Sequence, residues 1–125
     1  LDLGKWCRMN MNVTIRHAVA ADAAAIKRVH IKTYRLSYKG FLPDNVLDAL
    51  VMDRDVIERT RRYLEKTECF VALYQKRVVA YAYLVYPKPD CFEINALYVE
   101  PTFQRQGIGS FMLQTIFQEK KRFGF

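Results

Sequence analysis

From Val13 to Ala18 the chain reads VTIRHA, apolar and polar positions in alternation, which predicts a short half-buried strand. The period then changes. Over residues 20–38, AADAAAIKRVHIKTYRLSY, apolar side chains recur at Ala25, Ile26, Val29, Tyr34 and Leu36 at helical spacing. Asp22 falls in the first turn, where a carboxylate suits the helix dipole. Gly40 breaks the pattern, and FLPDNVLDALV (residues 41–51) restarts it with Pro43 suited to a first helical position. Asp53 is placed to cap a third helical segment, residues 54–66, in which Val56, Ile57, Thr60 and Leu64 share a face.

The pattern turns β-rich at CFVALY (69–74) and VVAYAYLVY (78–86), which read as an antiparallel hairpin across QKR. Its turn lacks the Gly, Asn or Asp that such turns favour, so the turn type stays open. Pro87 and Pro89 are expected to end the second strand. FEINALYV (92–99) is the next strand, stopped by Pro101, and simple alternation puts Glu93, Asn95, Leu97 and Val99 on one face. From Gly107 to Phe123 a helical stripe of Ile108, Phe111, Met112, Thr115 and Ile116 follows. Lys120, Lys121 and Arg122 lie in its last turn, and Gly124 is placed to end it. The order is β-α-α-β-β-β-α, an α+β domain with a mixed, mostly antiparallel sheet flanked by helices.

At 125 residues the chain is one domain, with a composition (51% hydrophobic, 26% charged) that can build a core. No apolar run nears the roughly 18 residues of a membrane helix. LDLGKWCRMN, residues 1–10, has no continuous apolar stretch and is not a signal peptide; it reads as a tail or an expression remnant, with Met9 or Met11 a natural start. Cys7, Cys69 and Cys91 show no metal or redox spacing and point to reduced thiols in the cytoplasm. His17 and His30 are isolated and read as structural or exposed. The net charge of +7 favours an anionic partner: nucleic acid, a phosphorylated cofactor or a membrane surface. The run RTRRY adds to a nucleic-acid reading, but Arg59, Arg61 and Arg62 fit one solvated helix side, and no nucleic-acid motif is present.

The candidate chemistry lies in QRQGIG, residues 104–109. Glycine disfavours a helix interior by about 1 kcal/mol relative to alanine, yet two of the five glycines stand at a helix start. A helix N-terminus carries unpaired N–H groups and partial positive charge, and glycines there let an anion reach the backbone. Arg105 adds a formal charge and Ser110 a hydroxyl. The turn matches neither a P-loop nor a dinucleotide fingerprint: no Gly-Lys-Ser/Thr follows, and Met112 stands where a third glycine is needed.

The longer string LYVEPTFQRQGIGSFML resembles the cofactor motif Gln/Arg-x-x-Gly-x-Gly/Ala of the GNAT superfamily, the acetyl-CoA-dependent N-acetyltransferases. Gln104, Arg105, Gln106, Gly107, Ile108 and Gly109 carry the match, and the strand and proline-containing loop before them are in family order from about Val13 on. The resemblance implies acetyl-CoA as cosubstrate, without a metal. The backbone N–H groups of Arg105 through Ser110 would hold the pyrophosphate, and the backbone of Leu97, Tyr98 and Val99 would pair with the pantetheine arm as an added strand. It further implies Glu93 as general base, alongside its reading as a plain strand glutamate; a Leu97–Val99 N–H as oxyanion donor; and Tyr34, Tyr38 and Phe41 as one lip of the acceptor pocket.

Against the family pattern, residues 11–125 are expected to form a C-terminally incomplete domain, ending before the fifth strand. Two consequences are expected from that. One is a homodimer that covers an open strand edge. The other is an alternative to turnover, a degenerate acetyl-CoA-binding module. The amine acceptor is not specified.

Overall fold

Among the described residues, five strands join in chain order into one antiparallel sheet: β1 (Gly4–Arg8), β2 (Met11–His17), β3 (Glu68–Tyr74), β4 (Arg77–Lys88) and β5 (Cys91–Val99). The helices are α1 (Ala23–Tyr38), α2 (Asp44–Asp48), α3 (Arg54–Lys66) and α4 (Ile108–Arg122), with short 3-10 turns at Ala20–Asp22 and Pro101–Phe103. The computed structural model describes residues 4–8, 11–48, 50 and 52–125, with side chains from Asn12 on, Asp48 excepted. Residues 1–3, 9 and 10 of the expected tail, Met9 among them, lie outside the described residues, as do Ala49 and Val51. The middle of that segment is a strand: Gly4 to Arg8 pairs with Ile15 to Met11.

Helices cover both faces of the sheet. On one, Ile108, Met112 and Ile116 of α4 are buried against Val13, Ile15, Phe70, Ala72, Ala80, Ala82 and Leu84. On the other, Ile26 and Val29 of α1 meet Val71, Val78, Tyr81 and Tyr83, with Leu64 of α3 beside them. β3 and the centre of β4 are therefore buried on both faces, which is why their sequence is a continuous apolar run rather than an alternation.

Several local expectations hold. The Asp53 carboxylate accepts from the Val56 N–H at 2.8 Å and starts α3 at Arg54. Gly124, at φ +88°, follows the end of α4 in the left-handed conformation. The β3–β4 turn reaches its two-residue geometry without glycine: Gln75 and Lys76 both take positive φ, +50° and +63°.

Two strand expectations are corrected. β4 does not stop before Pro87 but runs to Lys88, because Pro87 falls in the irregular stretch between Val85 and Lys88, where a missing N–H breaks no ladder bond. In β5 the alternation is interrupted. Tyr83 faces Ala96 and Leu84 faces Ile94, so Asn95 is an extra residue, a bulge. The face switches there. Phe92, Ile94, Leu97 and Val99 all pack towards α4, while Ala96 and Tyr98 face α1, so Glu93 does not share a face with Leu97 and Val99.

Candidate active site

The turn after β5 is built to leave backbone N–H groups exposed at the head of α4. Gly107 caps the helix at φ +88°, a conformation that disfavours side chains, and no side chain caps the first turn. The helix's first backbone bond runs from the Phe111 N–H to the Gly107 carbonyl, so the N–H groups of Ile108, Gly109 and Ser110 have no intrahelical acceptor. Arg105, exposed, also holds positive φ, +63°, a strained conformation for a residue with a Cβ. Gly109 rests on the sheet: a Cβ there would stand 3.9 Å from both Leu97 and Val99.

β5 is an outer strand of the sheet, and its free edge adjoins this turn. The Glu100 N–H donates to the Val79 carbonyl at 2.8 Å, which sets the phase of the ladder. The backbone groups of Tyr98 and Glu100 point to β4, and those of Leu97 and Val99 point outward. The Val99 carbonyl is already engaged, accepting from Gln104 Nε2 at 3.0 Å and from the Thr33 hydroxyl at 3.4 Å. Gln104 thus ties the turn to the strand end by its side chain.

Glu100 anchors the same junction. Its side chain is buried, and Oε1 accepts from Lys32 of α1 at 2.9 Å and from Arg77 of β4 at 2.5 Å. One carboxylate so joins three elements at the root of the turn. Its other oxygen has no partner among the described residues. In the sequence the only hint of it is a charge set between an apolar strand and Pro101.

On the α1 side of the sheet lie adjoining hollows. Tyr34, Tyr38 and Phe41 do come together, with Ser37 and Tyr98, around a hollow of about 530 Å³. Phe41 is 85% exposed and Tyr38 43%, so these rings form a rim, not core. Beyond Tyr98 a cleft of about 540 Å³ opens between α1, α3 and the sheet, lined among others by His30, Arg59, Tyr63, Tyr83 and Asn95.

A model of the acetyltransferase (GNAT) family matches residues 32–125. The chain belongs to the acetyltransferase (GNAT) family. Solved structures with the same fold include the PaiA N-acetyltransferase of Thermoplasma acidophilum in complex with coenzyme A, at TM-score 0.75 and 15% identity, covering 90% of this chain and 74% of that one. A GNAT family acetyltransferase of Brucella melitensis in complex with acetyl-CoA is similar at TM-score 0.63 and 18% identity, covering 90% and 70%. An N-acetyltransferase of Staphylococcus aureus Mu50 is similar at TM-score 0.63 and 20% identity, covering 91% and 69%. Comparison with curated proteins finds no match.

Within this GNAT domain the residues singled out by sequence fall in three places. Gln104 to Ser110 form the turn and the head of α4, and Leu97 to Val99 the adjoining strand edge. Tyr34, Tyr38 and Phe41 form the rim. Glu93 stands apart from these, exposed and paired across the strands with Val85, two residues before the bulge on the α1 side of the sheet. The cleft residues Lys27, His30, Arg59, Tyr63, Tyr81, Tyr83 and Asn95 were not foreseen as a group, since they come from four elements. Their one sequence signal is the i, i+2 pair Tyr81 and Tyr83, which puts two phenols on one strand face. Burial pushes both phenols well above the ordinary tyrosine range, so they stay neutral donors. His30 is held below the ordinary histidine range by burial and by Lys27, whose Nζ lies 3.0 Å from Nδ1. Among the described residues no group of three His, Cys, Asp or Glu is placed to hold a metal, and no helix is long and apolar enough to cross a membrane.

Proposed function

We propose that the chain is an acetyl-CoA-dependent N-acetyltransferase that acetylates a primary amine of a small molecule or protein. One observation carries the reading: the uncapped, glycine-started head of α4 beside the free edge of β5. Family membership and the coenzyme A and acetyl-CoA complexes of its structural relatives support it. The N–H groups from Arg105 to Ser110 and the Arg105 charge suit a pyrophosphate. The outward N–H of Val99 and both outward groups of Leu97 suit the amides of a pantetheine arm. The Val99 carbonyl, used by Gln104, is not needed for it.

Acetyl-CoA would supply a thioester carbonyl activated for attack. The protein has to deprotonate the acceptor ammonium, stabilise the developing oxyanion and protonate the leaving thiolate. We assign the first task to Glu93, exposed on the side of the sheet where Tyr98 and the hollow lined by Tyr34, Tyr38 and Phe41 lie. A backbone N–H of the Leu97–Val99 edge takes the second. The exposed rings of Phe117 and Phe123 offer a surface for the homodimer, which sedimentation over a broad concentration range would detect.

Native mass spectrometry with acetyl-CoA and a panel of amines tests the reading. A cofactor-bound protein and an acetylated amine are expected. Binding with no product from any amine reduces the chain to an acetyl-CoA-binding module, and no binding at all refutes the proposal.

A further inference from the structure

The cleft between α1, α3 and the sheet has an unusual lining. Its rings run in contact from one helix to the other. Tyr63 of α3 meets Tyr83 at 4.8 Å between ring centroids, Tyr83 meets Tyr81 at 5.4 Å, and Tyr81 meets Tyr98 of β5 at 5.4 Å. Tyr98 meets His30 of α1 at 5.6 Å, and the line continues through Tyr34 to Tyr38. Aromatic walls of this kind take up a flat, apolar body well, and their hydroxyls supply donors.

The charge at the cleft is of one sign. Lys27 of α1 and Arg59 of α3 both line it. Burial and the charge of Arg59 hold Lys27 below the ordinary lysine range, so the two cations oppose each other. Neither has a carboxylate partner among the described residues. The neighbouring arginines of α3 differ: Arg61 pairs with Glu58 at 2.5 Å and Glu65 at 3.0 Å, and Arg62 with Glu58 at 3.6 Å. Arg59 is exposed, as expected of a solvated helix side, but unlike Arg61 and Arg62 it lines the cleft and pairs with no carboxylate among the described residues. Asp53, a carboxylate lining the adjoining hollow, accepts from the Val56 N–H as a helix cap and pairs with neither cation. His30 adds no negative charge and faces Lys27 through Nδ1. Two cations that line one cleft, neither of them ion-paired among the described residues, disfavour a diamine or a lysine side chain and favour an anion from solution.

We propose that this cleft selects an acceptor amine that also bears a carboxylate and a flat apolar side chain, an aromatic amino acid or a close relative. Lys27 and Arg59 hold the carboxylate, and the rings of Tyr63, Tyr81, Tyr83 and Tyr98 enclose the side chain. Asn95, Ala96 and Tyr98 of β5 line the same cleft, so the amine beside the held carboxylate is enclosed together with this stretch of β5. The outer edge of that strand is the one assigned to the pantetheine arm. The inference rests on the acetyltransfer reading above and narrows it to a substrate class.

Calorimetry on the full chain, with and without saturating coenzyme A, tests it using phenylalanine, phenylalaninamide and putrescine as probes. Coenzyme A binding is read separately, so loss of the cofactor reading and loss of this one are told apart. Phenylalanine is expected to bind about tenfold more tightly than its amide, and putrescine more weakly still. Arg59→Gln and Lys27→Gln should each erase most of that preference, and Arg59→Glu should turn it in favour of the amide. Arg59 is exposed, so its variants keep the fold even if Lys27→Gln does not. Equal or tighter binding of the amide or of putrescine overturns the proposal. So does a failure of phenylalanine to bind, or a preference that survives in Arg59→Gln.

Discussion

Gly109 faces Leu97 across the junction of α4 and β5, and a Cβ added to Gly109 would stand 3.9 Å from Leu97 Cδ2. That is ordinary van der Waals contact, so packing does not demand the glycine. Gly107 is different, since its φ of +88° penalises any side chain. Gly109→Ala is expected to raise stability by several tenths of a kcal/mol through helix propensity, and Gly107→Ala to lower it by about 1 kcal/mol. Denaturant midpoints at unchanged slope would show this. Glutamate at either site places a carboxylate at the head of the helix, and acetyl-CoA affinity measured by calorimetry should fall by about an order of magnitude. A folded Gly109→Glu protein with unchanged affinity would remove the turn from the cofactor site.

Glu93→Gln keeps the size of the side chain and removes the base. With an amine that the enzyme turns over, the rate is expected to fall roughly 100-fold near neutral pH and to recover in part at high pH, where more of the amine is already deprotonated. Because Glu93 is exposed, stability should not change. A wild-type pH–rate profile in the variant would leave Glu93 as an ordinary strand residue.

Lys120 of α4 is buried at the end of the sheet, 2.5 Å from the Glu68 carboxylate of β3, with Tyr86 bonded to both and His17 3.0 Å from Glu68. Burial alone would raise Glu68, but the hydrogen bonds from Lys120, Tyr86 and His17 outweigh it and hold the carboxyl below its ordinary value of 4.5. Lys120 is likewise depressed by burial and raised by Glu68 and Tyr86, the net direction being upward from 10.5. The lowered Glu68 contributes stability above about pH 4.5 that is lost as the pH falls through its folded-state value. The raised Lys120 contributes below about pH 10.5 and loses it as the pH rises further. Glu68→Gln leaves a buried ammonium without counter-charge and is expected to cost about 2 kcal/mol at neutral pH. The deficit should shrink towards pH 3, as followed by thermal unfolding across pH. A deficit independent of pH would show that the carboxylate charge contributes nothing.

The Gln75–Lys76 turn holds two side-chain-bearing residues at positive φ. Asn-Gly is the pair this geometry favours. Gln75→Asn with Lys76→Gly should stabilise the protein by about 1 kcal/mol, read as a raised denaturant midpoint. An unchanged denaturant midpoint would mean that the turn carries no strain.

The sequence by itself determined what depends on neighbours in the chain. The period of apolar positions placed α1, α3, α4 and strands β2 to β5, though not β1, Asp53 marked the start of α3, and the QRQGIG string located the uncapped helix start. These are local because a helix face, a cap and a positive-φ turn are set within a few residues. What lay beyond it depends on which residue stands opposite which. A strand's alternation is legible only until an extra residue enters the ladder, and whether one does is set by the pairing of β4 with β5. The bulge at Asn95 therefore reversed the expected face of Glu93 relative to Leu97 and Val99. Tertiary structure alone likewise brought Lys27 and Arg59 together from α1 and α3, joined Glu100 to Lys32 and Arg77, and carried Lys120 to Glu68. Each of those charges reads in the sequence as a solvated side chain. Only the packing of helix on sheet decides which of them lose water and so need a partner.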